Sequence, residues 1–239
     1  MSRAQARAPG GPPELPVGRP YRMALLNPNT SRASTDRMVA NALQIVPAGV
    51  ELEGFNVASG EDFIADPRAL ARAAEQVALR GAELVAAGFD ALIVAAFGDP
   101  GLALLRARWS LPVTGLGEAG IAAAARGGLR YAIVTVTPGL HDSLVQAAQS
   151  VAPAGFVGVR YTQGAPESLM RSPEALSTAL LAACREAVRV DGAQSIVIGG
   201  GPLAHVAPGI AAQLQLRVVD PVDAAVRLAI ARGPLSCAR

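Results

Sequence analysis

The sequence predicts an α/β protein of two similar lobes, each a parallel sheet with helices on both faces, enclosing an active-site cleft. Three observations carry this. Short apolar runs rich in β-branched residues alternate with longer Ala/Leu-rich runs of helical spacing from Arg22 to Arg232, the pattern of strands joined by helical crossovers. Asp90–Phe97 (DALIVAAF) is almost free of polar residues, as expected of a strand covered on both faces. Two strand-plus-turn pairs also recur about a hundred residues apart: MALLNPNTS with YAIVTVTPG, and LIVAAFGDPGL with SIVIGGGPLA. Such recurrence is the mark of an internal duplication.

The elements follow in order. RMALLN at Arg22–Asn27 predicts a strand, and Ser31–Val46 a helix opened by small polar residues. Val50–Val57 predicts a strand and Asp66–Gly88 a long helix with Pro67 in its first turn, where the missing N–H costs nothing. Asp90–Phe97 is the buried strand, followed by a short helix at Leu102–Ala107, a strand at Pro112–Leu116 and a helix at Glu118–Arg126. Gly127-Gly128 stops that helix. The second half predicts strands at Arg130–Thr135, Gly155–Tyr161, Gln194–Ile198 and Arg217–Asp220. Its helices are expected at Gly139–Val151, Pro173–Val190, Leu203–Leu214 and Pro221–Arg232. Residues 1–20 are Pro/Gly/Arg-rich and read as a disordered tail that packs against nothing. Residues 21–114 with 218–239 are expected to form the first lobe, and 115–217 the second.

Composition excludes several functions. Hydrophobic residues make up 51% of 239 residues and charged residues 17%, ample for a packed core. A net charge of +2 and 4% aromatics give neither a basic footprint nor stacking platforms for nucleic acid. All 21 basic residues are arginine. Without lysine there is no Schiff base to pyridoxal phosphate and no phosphate loop ending in Gly-Lys-Ser/Thr. Cys184 and Cys237 lack metal-knuckle spacing. No apolar run is long enough to span a bilayer, and the first residues lack a signal-peptide core. The expectation is a cytoplasmic homo-oligomer that acts on a small molecule, without a cofactor, a membrane or nucleic acid.

Ligands of open α/β sheets bind beyond the carboxyl ends of the strands, and four unusual turns fall there. Asn27-Pro28-Asn29-Thr30-Ser31, Phe97-Gly98-Asp99-Pro100-Gly101-Leu102 and Gly115-Leu116-Gly117-Glu118-Ala119 resemble the turns of the Asp/Glu/hydantoin racemase superfamily, closest to its hydantoin racemase branch. The resemblance runs from about Arg22 to Arg232. It implies a pseudo-symmetric two-lobed fold in which one thiol per lobe works on opposite faces of a carbon next to a carbonyl. One thiolate removes the proton and the other thiol returns one. In this sequence Ala96 and Gly200 stand where the resemblance places those two cysteines. Neither Cys184 nor Cys237 matches a motif position.

The candidate site residues follow from these turns. Asn29 and Thr30 hold a substrate carboxylate or ring carbonyl, or the NPNTS turn merely caps its helix. Backbone N–H groups of Phe97, Gly98, Gly200 and Gly201 form an oxyanion hole for an enolate, or the glycines serve only the turns. Thr135 and Thr137 match positions where the resemblance places hydroxyls that contact substrate, although β-branched residues also suit a strand. His141 and His205 are the only side chains whose ordinary pKa lies near neutrality, so with Thr135 they are the catalytic candidates. Glu118 matches the family's Gly-Glu-Ala and is a substrate-binding candidate, or it favours a helix start. Asp99 is expected to cap the helix that follows it. Arg160 and Tyr161 bind a substrate carboxylate or form a surface pair.

The reading that results is a hydantoin-racemase-like enzyme for a small cyclic ureide or short carboxylic acid, working through an oxyanion hole without a thiol pair. Lyase, ring-carbon hydrolase, desulfhydrase and isomerase chemistry all suit it. The rivals are a binding protein without chemistry, and a metal-assisted enzyme using His141 or His205 with Asp99 or Glu118.

Overall fold

The computed structural model describes residues 19–233. The expected tail lies outside them up to residue 18, as does Cys237. Arg19, one of the two tail residues described, packs where nothing was expected. Its guanidinium makes two hydrogen bonds to the Asp90 carboxylate, at 2.7 and 2.8 Å.

The first sheet contains β1 (Tyr21–Asn27), β2 (Val50–Asn56), β3 (Ala91–Val94) and β4 (Val113–Gly115), in the order β2-β1-β3-β4. The second contains β5 (Tyr131–Thr135), β6 (Phe156–Tyr161), β7 (Ser195–Ile198) and β8 (Arg217–Val219), in the order β6-β5-β7-β8. Every pairing is parallel. The same order in both sheets is the duplication that the recurring segments predict. Val218 and Val219 lie in the second sheet, two residues beyond the expected edge of the second lobe.

The helices are α1 (Arg32–Ala42), α2 (Pro67–Ala86), α3 (Leu102–Arg108), α4 (Leu116–Ala124), α5 (His141–Val151), α6 (Pro166–Arg171), α7 (Pro173–Asp191), α8 (Ala207–Leu214) and α9 (Pro221–Arg232). Local chemistry sets their ends. The Asp66 carboxylate accepts from the N–H groups of Arg68 and Ala69, with Pro67 at the first position of α2. Gly192, at φ 67°, closes α7 in the left-handed conformation. Helix α1 stops four residues earlier than its periodicity predicts. Gln44 and Ile45 turn back onto the carbonyls of Asn41 and Ala42, and Pro47 disfavours a helical Val46. Short 3₁₀ turns at Pro138–Leu140 and Gly201–Val206 precede α5 and α8, where single helices were expected. The six-residue α6 was not foreseen, because prolines at 166 and 173 bracket too few residues for a periodic signal.

The lobes exchange their last helices. α4 follows the first sheet, yet Ile121 and Ala124 pack with Tyr131 and Ile133 of the second. α9 follows the second sheet, yet Val222, Ala225, Val226 and Ala229 pack with Met23, Leu25 and Ile93 of the first. Each lobe core is completed by the other half of the chain, which fixes the cleft between the two rows of strand ends.

Candidate active site

In each sheet the chain runs outward in both directions from the central strand pair, β1/β3 in one and β5/β7 in the other. Crevices open at the carboxyl ends of such pairs. The two crevices meet at one cavity of about 60 Å3. Asn29, Ala96 and Phe97 line it from the first lobe, and Thr135, Thr137, Gly200 and Gly201 from the second. Its apolar walls include Phe63, Leu70, Leu140, Met170 and Leu203.

The NPNTS turn is held from several sides. The Asn27 carboxamide donates to Thr35 Oγ1 at 2.9 Å, and its Oδ1 accepts from the Asn29 N–H at 3.3 Å. Asn56 donates to the Asn29 carbonyl at 2.8 Å. Asn29 Oδ1 accepts from the Ser31 N–H at 3.0 Å, which leaves the Asn29 NH2 as a donor on the cavity wall. Ser31 caps α1. Thr30 does not line the cavity: its N–H is tied to the Glu61 carbonyl at 3.0 Å, which turns it toward the neighbouring loop.

After β3 the backbone turns sharply through Gly98 (φ 119°), Asp99 (φ 49°) and Gly101 (φ 77°). Asp99 is not the cap of the next helix, whose N-cap is Gly101. Its two carboxylate oxygens accept from the N–H groups of Gly117 and Glu118, each at 2.7 Å, so it caps α4. Burial pushes its pKa up to about 7, against the pull of those two amides. This cap explains why α4 begins at Leu116, before the predicted Glu118. Gly98 packs its backbone against Gly117 rather than lining the cavity, so the oxyanion role expected of it is not available there.

Among the described residues, the N–H groups of Ala96, Phe97 and Gly201 donate to no acceptor in the chain. The Gly200 N–H, expected to be free, donates to the Ile198 carbonyl at 3.0 Å. The second lobe adds two hydroxyls in series. Thr135 Oγ1 donates to the Gly199 carbonyl at 2.7 Å and lies 3.1 Å from Thr137 Oγ1. With its one proton committed to Gly199, Thr135 accepts from Thr137 and positions it. Thr135 therefore has no proton to exchange with a ligand.

The remaining candidates stand outside the cavity. His141 is exposed, and its Nδ1 lies 2.6 Å from the Tyr161 hydroxyl. His205 is exposed on the 3₁₀ turn, with Nδ1 3.0 Å from the Pro202 carbonyl. Glu118 is bound to Arg106 and Arg232, and its N–H···carboxylate bond with Gly115 completes a box at the start of α4. Desolvation works to raise its pKa, but the two guanidinium partners hold it below the ordinary glutamate value. Arg160 pairs with Asp191 at 2.6 Å. Cys184 is buried in the second-lobe core, where burial pushes its thiol up to about 12. No group of three His, Cys, Asp or Glu side chains that could hold a metal exists among the described residues, so His141, His205, Asp99 and Glu118 do not assemble. No described helix is long and apolar enough to cross a membrane.

The result is a cavity with no titratable side chain on its wall. Ala96 and Gly200 both line it. Sequence reasoning missed Phe63 and Met170, which lie on a loop and on the unforeseen α6.

Comparison with known proteins places this arrangement. The chain is 29% identical over 213 residues to a hydantoin racemase of Paenarthrobacter aurescens, covering 87% of this chain and 89% of that one. It is 27% identical to a hydantoin racemase of a Pseudomonas strain, over 87% of this chain and 84% of that one. The structure of an allantoin racemase from Klebsiella pneumoniae superposes with a TM-score of 0.79 at 29% identity, over 87% of this chain and 85% of the other. A glutamate racemase from Francisella tularensis shares the fold, with a TM-score of 0.63 at 16% identity over 88% and 79% of the two chains. The profile of the Asp/Glu/hydantoin racemase family matches residues 23–229. The chain belongs to the Asp/Glu/hydantoin racemase family.

Proposed function

We propose that this chain binds a small cyclic ureide of the hydantoin or allantoin kind between its lobes and stabilises the ring enolate, with water as the only proton carrier. The observation that carries this is the pairing of Ala96 and Gly200 on a cavity wall that has no acid or base. The volume of about 60 Å3 holds roughly four to six water-sized groups, the scale of a five-membered ring. The polar groups on the wall are the Asn29 NH2, the Thr137 hydroxyl and the N–H groups of Phe97 and Gly201. The Asn29 NH2 and the two N–H groups match ring carbonyls and a developing enolate oxygen, while the Thr137 oxygen, its proton given to Thr135, accepts from a ring N–H. No cation lines the cavity, so a neutral ring suits it better than a free carboxylate, whose burial without a partner is costly.

Two-sided racemisation needs a donor and an acceptor on opposite faces of one carbon. A methyl and a hydrogen supply neither. Water reaching the ring from one side removes and returns a proton on that side. The expected result in deuterated water, with single enantiomers of 5-methylhydantoin, is enzyme-dependent deuterium uptake into one enantiomer without matching loss of optical rotation. Uptake with equal loss of rotation would establish two-sided transfer and overturn the reading. The absence of any titratable wall residue favours one alternative, a binding protein without chemistry. Saturable binding with no deuterium uptake above the enzyme-free rate would establish it.

A further inference from the structure

A second chamber of about 70 Å3 adjoins the main cavity through their shared wall, Met170 and Pro202. Its other walls are Arg37, Pro173, Leu176 and His205. We infer that this chamber receives an anionic arm, a carboxylate carried on the ring of the ligand bound in the main cavity, and that Arg37 selects for it. The inference rests on the cyclic-ureide reading above and names the ring substituent.

A carboxylate cannot remain in the main cavity, whose wall offers no cation. Past Met170 and Pro202 it meets Arg37. That guanidinium pairs with no carboxylate among the described residues, and its one recorded partner is Ser34 Oγ at 3.4 Å. A planar guanidinium with free donors is the side chain best shaped for two-point carboxylate binding. The same chamber holds no acidic side chain.

His205 is the second polar group there. The Pro202 carbonyl can only accept, so Nδ1 carries the proton of their hydrogen bond and Nε2 is left over. The opposite side of Met170 is less suited to an anion. There Arg37 and Arg171 share a surface recess with Asp62 and Glu167, whose like charge repels a carboxylate. Apolar Pro173 and Leu176 line the chamber, so an arm of one or two methylenes fits beneath the charged end.

The test compares three ligands by calorimetry: hydantoin, hydantoin-5-acetate and the neutral hydantoin-5-acetamide. The acid is expected to bind the wild-type protein at least tenfold more tightly than the amide, and this preference should shrink in high salt. In Arg37→Gln the acid-to-amide ratio should fall to within twofold of one. Arg37 is exposed, so its replacement does not threaten folding. Equal binding of acid and amide by the wild type, with hydantoin also bound, would overturn the arm site alone. A preference that survives Arg37→Gln would do the same. Failure of all three ligands to bind would overturn the ring reading and this inference with it.

Discussion

Asp99 Oδ1 accepts a 2.7 Å hydrogen bond from the Gly117 N–H, which ties the turn after β3 to the helix after β4. The fit is close. A Cβ at position 115 would lie 2.4 Å from the Asp99 carboxyl carbon, so the Gly-x-Gly spacing of the Gly-Leu-Gly-Glu turn exists to admit this carboxylate. The turn that presents Ala96 to the cavity is thus anchored by a residue that does not touch the cavity.

Asp99 should make stability fall between about pH 4 and pH 7. Burial raises its folded pKa to about 7 from an ordinary 3.8, so the native state binds more protons than the unfolded chain in that window. The contribution is fully present below the lower value and is lost as pH rises through the upper one. Urea denaturation at pH 4.5 and 7.5 should show a smaller loss in Asp99→Asn than in the wild type. Equal losses would refute the shift.

Glu118 should behave with the opposite sign. Its folded pKa is held below the ordinary glutamate value of 4.5, so its stabilisation is present above that value and is lost as pH falls further. Glu118→Gln leaves Arg106 and Arg232 without their shared carboxylate. Both guanidinium groups are more than a third exposed, so the expected cost at neutral pH is about 1 kcal/mol. Hydantoin affinity should stay within twofold, because Glu118 lies off the cavity. A large loss of binding at full stability would restore it as a substrate ligand.

Thiols should reinstate racemisation only as a pair. Gly200 has φ 166°, extended backbone open to any residue, and a Cβ there would meet Leu203 Cδ1 at 3.0 Å, a flexible contact. Ala96→Cys with Gly200→Cys should raise racemisation of 5-methylhydantoin by about 10²-fold or more, the scale of one well-placed acid–base group. Each single variant should show deuterium uptake without loss of rotation. A double variant no better than the parent would mean that the two positions do not face one carbon.

Gly101→Ala should destabilise the protein by about 2 kcal/mol or more, since both the backbone and the space reject a side chain. The residue sits at φ 77°, and its Cβ would come within 2.9 Å of the Ala74 carbonyl oxygen and of Val77 Cγ1 on α2. A shift of the urea midpoint at unchanged m-value would measure it. A neutral substitution would show that α2 can move away.

The alternation of strands and helices, the duplication, and the turns that carry the site are all legible in the amino-acid order. Those rest on local signals: buried runs such as Ala91–Val94, Asp66-Pro67 at a helix start, and glycines where the backbone turns left-handed. It also determined that Ala96 and Gly200 bring no thiol to the cleft. Which candidates meet depends on long-range packing. Asp99 reads locally as the cap of α3, but parallel strands separated by a helix bring it to α4 instead. His141, His205 and Glu118 follow promising turns, yet which way a side chain faces depends on the packing of the helix beneath it. The lobe bounds read from the sequence already put α9 with the first lobe and α4 with the second, but the approach of Met170 to Pro202 joins residues far apart in the chain. Their contacts come from burying apolar faces against a distant partner, which no local pattern records.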